Sequence, residues 1–294
     1  MVKSVGFLLL ALRPKTLTAS LVPVVVASGL LWAEGSFNQI WISGFALLSA
    51  LCIQITTNLV NDYIDFKKGA DTDTRLGPKR MTQAGLISER GIMLAAIFFS
   101  LLAMAFGIPL VIQGGWVLLL IGVVSLLMAY SYTGGPFPLA YLGLGDLFVI
   151  IFFGLIAVGG VYYLHTLTYS LSAFVAGLQV GFLSTVLIAI NNFRDMHQDK
   201  VVNKNTLAVR FGAQFSKIEI LSLFIFSILL GSYWIQKGFI AVAFLPLLSV
   251  PLMKNILVGV FKNKPGIIFN KYLAQSALVQ VLFAVLMAVG FVVS

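Results

Sequence analysis

Nine apolar stretches of about 17 to 25 residues, each the length that crosses a hydrocarbon core as a helix, constrain this chain more than any other feature. They run near 17–33, 40–62, 92–112, 116–132, 144–164, 171–191, 220–236, 239–257 and 273–293. With 60% of the residues apolar and only 10% charged, there is too little charge to cover a water-soluble surface, so the bilayer must be the solvent. Continuous runs such as Ile97 to Leu110 do not alternate in polarity as the strands of membrane barrels do. The expected fold is therefore all-α: a polytopic membrane protein with nine transmembrane helices, read as one domain over residues 1–294. The eighth span is the weakest because it carries Pro246, Pro251 and Lys254. The short apolar run before Arg13, Pro14 and Lys15 cannot span and has no small-residue cleavage site, so it reads as a retained interfacial segment. A single cysteine, Cys52, excludes an intrachain disulfide framework and any multi-cysteine metal site.

Orientation follows from the cations, because cytoplasmic loops keep basic residues. With the N-terminus and the loops after spans 2, 4, 6 and 8 on one side, that side holds 18 of the 19 Lys and Arg residues, and only Lys237 lies opposite. The expectation is a cytoplasmic N-terminus in the cell's inner (plasma) membrane. Anchoring and attraction to anionic headgroups explain most of the net charge of +9, and no nucleic-acid partner is expected. Nine of the ten acids gather on or near the same face, with Glu34 as the exception.

Two groups of these acids extend apolar spans. Asn58, Asn61, Asp62 and Asp65 continue the second span, placing Asn58, Asp62 and Asp65 on one helical face. Asn191, Asn192, Arg194, Asp195 and Asp199 continue the sixth, with Asn191, Asp195 and Asp199 at four-residue spacing. A charged side chain at a helix centre costs about 2.5 to 3.5 kcal/mol on insertion scales, less near the ends, and like charges at this spacing repel. A hard divalent cation offsets that best. Magnesium takes oxygen ligands and is held by one or two carboxylates together with substrate phosphates. Asp62, Asp65, Asp195 and Asp199 are thus the candidate catalytic metal ligands, Asn61 is a further one, and a diphosphate could lie between the two groups. Lys67, Lys68, Arg75, Lys79 and Arg80 beside the first group, and Arg194, Lys200, Lys204 and Arg210 beside the second, are candidates to complete the anion site. Asn58, Asn191, Asn192 and Tyr132, the last in a charge-free turn on the same face, complete the substrate-binding candidates. Asp73 and Glu89 read as solvated loop acids, His197 as a plain loop residue, and His165 as an interfacial one on the opposite side. Gly143-Leu-Gly145-Asp146 lacks the third glycine and the preceding strand of a dinucleotide fingerprint.

Asn61-Asp-Tyr-Ile-Asp65 resembles the first motif of the UbiA superfamily of intramembrane prenyltransferases, and Asp195-x-x-x-Asp199 resembles the second. Blocks at Arg13–Leu17, Asn58–Asp71, Arg75–Arg80, Gln83–Ile87, Tyr132–Asp146, Asn191–Asp195 and Lys204–Arg210 are similar to the menaquinone branch, the 1,4-dihydroxy-2-naphthoate polyprenyltransferases. The broad superfamily often has a third aspartate four residues after the second, where this chain has Gly69; Asp71 is the candidate substitute for it. The resemblance implies a helical bundle around a central cavity, with polyprenyl diphosphate and an aromatic acceptor as partners and Mg2+ as cofactor. It also implies decarboxylation at the attacked carbon. Transfer to another acceptor such as 4-hydroxybenzoate is the nearest alternative. A secondary transporter is the rival from another class, since acids in a bundle also mark ion pathways, and a noncatalytic lipid-binding subunit is a third reading.

Overall fold

Lipid supplies no hydrogen-bond partners, so each apolar run must close its backbone bonds internally as a helix. The computed structural model describes residues 11–69, 75–77 and 80–294, apart from the Lys15 side chain. The N-terminal segment, Asp71, Asp73 and Lys79 lie outside the described residues. The described residues form eight long helices: α1 (Pro14–Ala33), α2 (Ile40–Lys67), α3 (Glu89–Ser131), α4 (Gly145–Thr166), α5 (Leu171–Val201), α6 (Leu207–Gln236), α7 (Ile240–Lys262) and α8 (Phe269–Val293). Among the described residues there is no strand. Side-chain oxygens of Ser88, Ser170 and Thr206 accept from orphan backbone N–H groups at the starts of α3, α5 and α6.

At 43 residues α3 would reach about 65 Å if straight, twice a hydrocarbon core. It folds back instead. Gly115 adopts φ 65° and ψ −153°, a region open essentially only to glycine. At one end of α3, Glu89 pairs with Lys67 at 2.6 Å; just past the other, the Thr133 carbonyl accepts from Lys68 at 2.8 Å. Both ends thus stand at the same end of α2. The arms 89–114 and 116–131 supply the third and fourth expected spans, so the eight helices carry all nine apolar segments. The proline-rich α7 is interrupted by a tight turn at Leu245–Ser249 around Pro246 and resumes at Val250–Lys262 with Pro251 in its first turn.

Around the bundle α1 meets α2, α2 meets α3, and α4 through α8 follow in turn until α8 closes on α1. α5 packs on α4, α6, α8 and α1 and is the most buried helix. α3 meets α4 chiefly through Ala157–Thr166, which leaves the ring open between the second arm of α3 and the first half of α4. Where α4 crosses α5 its winding widens to a π-helix over Ile150–Ile156. The crossing is backbone on backbone: a Cβ on Gly154 would collide with the Gly177 carbonyl oxygen, and one on Gly181 would lie 2.9 Å from that of Ile150. Gly181→Ala is expected to cost about 1 to 3 kcal/mol through overpacking, read as a lower thermal midpoint of the detergent-solubilised protein.

Candidate active site

Helices α2 and α5 run past their apolar spans and carry both acidic groups to the charged end of the bundle. There a cavity of about 120 Å³ is walled by Asn61 and Asp65 from α2, Asn191, Asn192, Asp195 and Asp199 from α5, and Arg75, Arg80, Tyr132, Tyr141, Asp146 and Lys204 between them. Each of three carboxylates has its own cation: Asp65 takes Arg80 at 2.8 Å, Asp195 takes Arg194 at 2.6 Å and Asp199 takes Lys204 at 3.2 Å. Burial pulls the Lys204 ammonium down, but Asp199, Asp65 and Asp195 together hold its pKa above the ordinary lysine value, so it stays charged. That coupling ties the α2 acid to the α5 pair. Burial first, then Asp146, Asp65 and Asp199, push the Tyr132 phenol up, keeping it a protonated donor.

The helical face that meets the cavity is not the one expected. Asn61 and Asp65, four residues apart, face it; Asp62 does not. The Asp62 carboxylate turns aside and accepts the backbone N–H groups of Met81 at 3.1 Å and Thr82 at 3.2 Å. It is only 1% exposed and pins the turn that presents Arg80 to Asp65. Asn58 donates to Leu12 O and Thr16 Oγ1, both at 3.0 Å, one turn below the cavity. Lys67 is engaged with Glu89 at the surface. Arg194 stands behind the wall: Nε and Nη2 grip both Asp195 oxygens at 2.7 and 2.6 Å, Nη2 also reaches Asn191, and Nη1 reaches Asn270 on α8 at 2.6 Å. His165, in the last turn of α4, is buried, bonded to Ser43 at 3.2 Å and stacked on Phe37. His197 is exposed.

Sequence reading missed Arg13, Tyr141 and Asp146, which also line the cavity. Tyr141 donates to Asp65 at 3.0 Å and lies under the Lys68 ammonium, 4.0 Å from its ring centroid. Tyr141→Phe is expected to slow turnover by about fivefold, the equivalent of one hydrogen bond near 1 kcal/mol, without loss of folded protein.

Directly beneath lies a second, apolar chamber of about 670 Å³. Arg13, Asn61, Tyr132, Ile188 and Asn191 wall both spaces, so the two adjoin. On α2 the chamber runs from Asn61 to Ala46, about 22 Å of helix. Its lining includes Ile108, Ile112 and Leu119 of α3, all of them exposed.

A sequence profile described as the UbiA prenyltransferase family matches residues 20–266. The chain belongs to this family. It is 31% identical over 290 residues to the 1,4-dihydroxy-2-naphthoate octaprenyltransferase of Haemophilus influenzae, covering 96% of this chain and 94% of that protein. The Escherichia coli protein of the same name is 37% identical over 208 residues, 69% of this chain and 67% of that one. Among solved structures, the fold matches an apo UbiA homolog from Aeropyrum pernix K1 with a TM-score of 0.69 at 15% identity, covering 95% of this chain and 97% of that one. A UbiA homolog from Archaeoglobus fulgidus bound to GPP and Mg2+ matches with a TM-score of 0.64 at 17% identity, covering 98% and 100%. This UbiA-family chain is a multi-pass membrane prenyltransferase.

The donors suit a hard cation. They are oxygens, and Asp199 Oδ2 has no hydrogen-bond partner among the described residues although it is buried. Among those residues no three acidic, histidine or cysteine side chains converge on one point.

Proposed function

We propose that this prenyltransferase moves a polyprenyl group from polyprenyl diphosphate to 1,4-dihydroxy-2-naphthoate with loss of carbon dioxide, at the cytoplasmic face of the inner membrane. One observation carries the reading: a small charged cavity adjoins an apolar chamber more than five times its volume across shared wall residues, an arrangement for a ligand with a charged head and a long greasy tail. Relatives named for the naphthoate reaction at 29–37% identity favour that acceptor.

Asp65, Asp195 and Asp199, with the amide oxygen of Asn61, would hold Mg2+, which when bound offsets the diphosphate charge and improves the leaving group. The described cavity wall carries four aspartates against four cations, Arg13, Arg75, Arg80 and Lys204. A diphosphate brought in alone would therefore tip it strongly negative. The four cations bind its oxygens and stabilise charge as the carbon–oxygen bond breaks. Below them, Tyr132 lies 5.4 Å from Phe148, which stacks on Phe152 at 4.3 Å. The rings present π-faces to an allylic cation, and Phe148 and Phe152 add no competing nucleophile, while the chamber walls keep water away until the electron-rich ring attacks.

The test is purified protein in detergent with a polyprenyl diphosphate, magnesium and either dihydroxynaphthoate or 4-hydroxybenzoate. Prenylated, decarboxylated naphthoquinol should appear only when magnesium is present. Prenylated hydroxybenzoate as the sole product would overturn the acceptor, and product formed equally well in chelator would overturn the metal.

A further inference from the structure

Among the described residues four aspartates line the charged cavity, and three of them are accounted for by cation partners. Asp146, in the first turn of α4, is the fourth. It is 5% exposed, makes no ion pair among the described residues, and its Oδ1 has no hydrogen-bond partner there. A buried carboxylate oxygen left unmatched costs stability, so a site that keeps one is built for a donor that arrives with a ligand. Asp146 shares that cavity with the proposed metal ligands but comes from α4 rather than from α2 or α5.

Asp146 lines the charged cavity together with Tyr132, Gly143 and Gly145. The two glycines let the wall close tightly there: a Cβ on Gly145 would lie 3.1 Å from the Tyr132 hydroxyl, and one on Gly143 would lie 2.7 Å from the Asn205 carbonyl oxygen. The ionisable groups that act on Asp146 from the neighbouring segments are Tyr132 after α3, Lys204 after α5 and Glu219 on α6. Thr185 of α5 donates to its backbone carbonyl at 3.4 Å.

We infer that Asp146 is the catalytic base for the acceptor, taking the proton of the hydroxyl next to the attacked ring carbon; this rests on the prenyl-transfer reading. As the O–H bond breaks, its electron pair becomes the carbonyl π bond and the ring π pair forms the new bond to the prenyl carbon. The prenyl carbon–oxygen bond breaks with its pair leaving on diphosphate. The attacked carbon then carries a carboxylate beside a ketone. Loss of carbon dioxide returns a pair to the ring, and the enolate oxygen takes its proton back from Asp146. The proton is borrowed and restored, so no co-reactant is needed.

The experiment compares Asp146→Asn and Asp146→Glu with wild type, using the naphthoate acceptor and magnesium. The asparagine variant is expected to lose at least about 100-fold in kcat, the lower bound for a positioned base, with KM for the prenyl diphosphate and the magnesium requirement unchanged. Its residual rate should climb about tenfold per pH unit as the hydroxyl ionises unaided, a slope absent from wild type. The glutamate variant should recover a substantial part of kcat. An asparagine variant within threefold of wild type would overturn the role. So would equal losses in both variants together with a lowered melting temperature, which is the mark of a structural residue. Absence of prenyl transfer by the wild-type protein would instead overturn the underlying reading, and this role with it.

Discussion

Replacing Asp199 with asparagine is expected to lower prenyl transfer by about a thousandfold, the equivalent of roughly 4 kcal/mol of transition-state stabilisation, with the melting temperature nearly unchanged. Asp199 offers the cavity a buried oxygen with no hydrogen-bond partner among the described residues, so removing its charge should cost a ligand more than the fold. Its one ion-pair partner, Lys204, remains coupled to Asp65 and Asp195 when that charge is removed. Raised magnesium should restore part of the rate, because the loss is one of affinity for an ion still held by the other carboxylates. Asp62→Ala should behave differently. It strips the acceptors from two buried backbone N–H groups, at about 1 to 3 kcal/mol each, and releases the turn that aims Arg80 at Asp65. Activity and thermal stability should fall together, and magnesium should restore neither. A stable Asp62→Ala protein rescued by magnesium would return Asp62 to the metal.

That contrast shows where the sequence is legible. Continuous helix from lipid into an aspartate pair is readable on both α2 and α5, because apolar length sets the span and the 3.6-residue period sets the spacing. The choice between Asn61 and Asp62 as the residue facing the cavity is not. They sit 100° apart on one helix, and the decision belongs to the backbone of Met81 and Thr82, some twenty residues away. Arg194 is adjacent to Asp195 in sequence, but adjacency on a helix turns it out of the cavity. The fold-back of α3 is readable as two apolar runs either side of Gly114-Gly115, although the helical hydrogen bonding continues with only one residue breaking it. Tyr141 and Asp146 come from a turn and a helix start, where no periodicity relates a residue to a site. Only the three-dimensional closure of 132–145 onto 203–206, stapled by Arg210 through Leu142 and Asn205, brings them in.

The other large effect concerns stability, and it falls on Arg194. This guanidinium is buried, with 1% of its side chain exposed, and it holds Asp195 by a two-pronged pair at 2.7 and 2.6 Å while bonding Asn191 and Asn270. Asn270 in turn donates to the Leu76 carbonyl at 2.8 Å, so one side chain joins α5, α8 and the basic loop. Removing one member of a buried pair leaves the other as an uncompensated charge, at a cost of about 3 to 5 kcal/mol. Arg194→Ala is therefore expected to yield little folded protein. Arg194→Lys keeps the charge but cannot span both Asp195 oxygens and Asn270. It should fold with a lower midpoint and turn over slowly, because Asp195 is no longer held at a fixed angle to the cavity. Charge-neutral Arg194→Met combined with Asp195→Asn should recover much of the stability and none of the activity. Measuring the three variants by thermal unfolding and by prenyl transfer separates the two jobs of the pair: the arginine supports the wall, and the carboxylate it orients faces the cavity. A single Arg194→Ala protein that melted with wild type would show that Asp195 is held by something else.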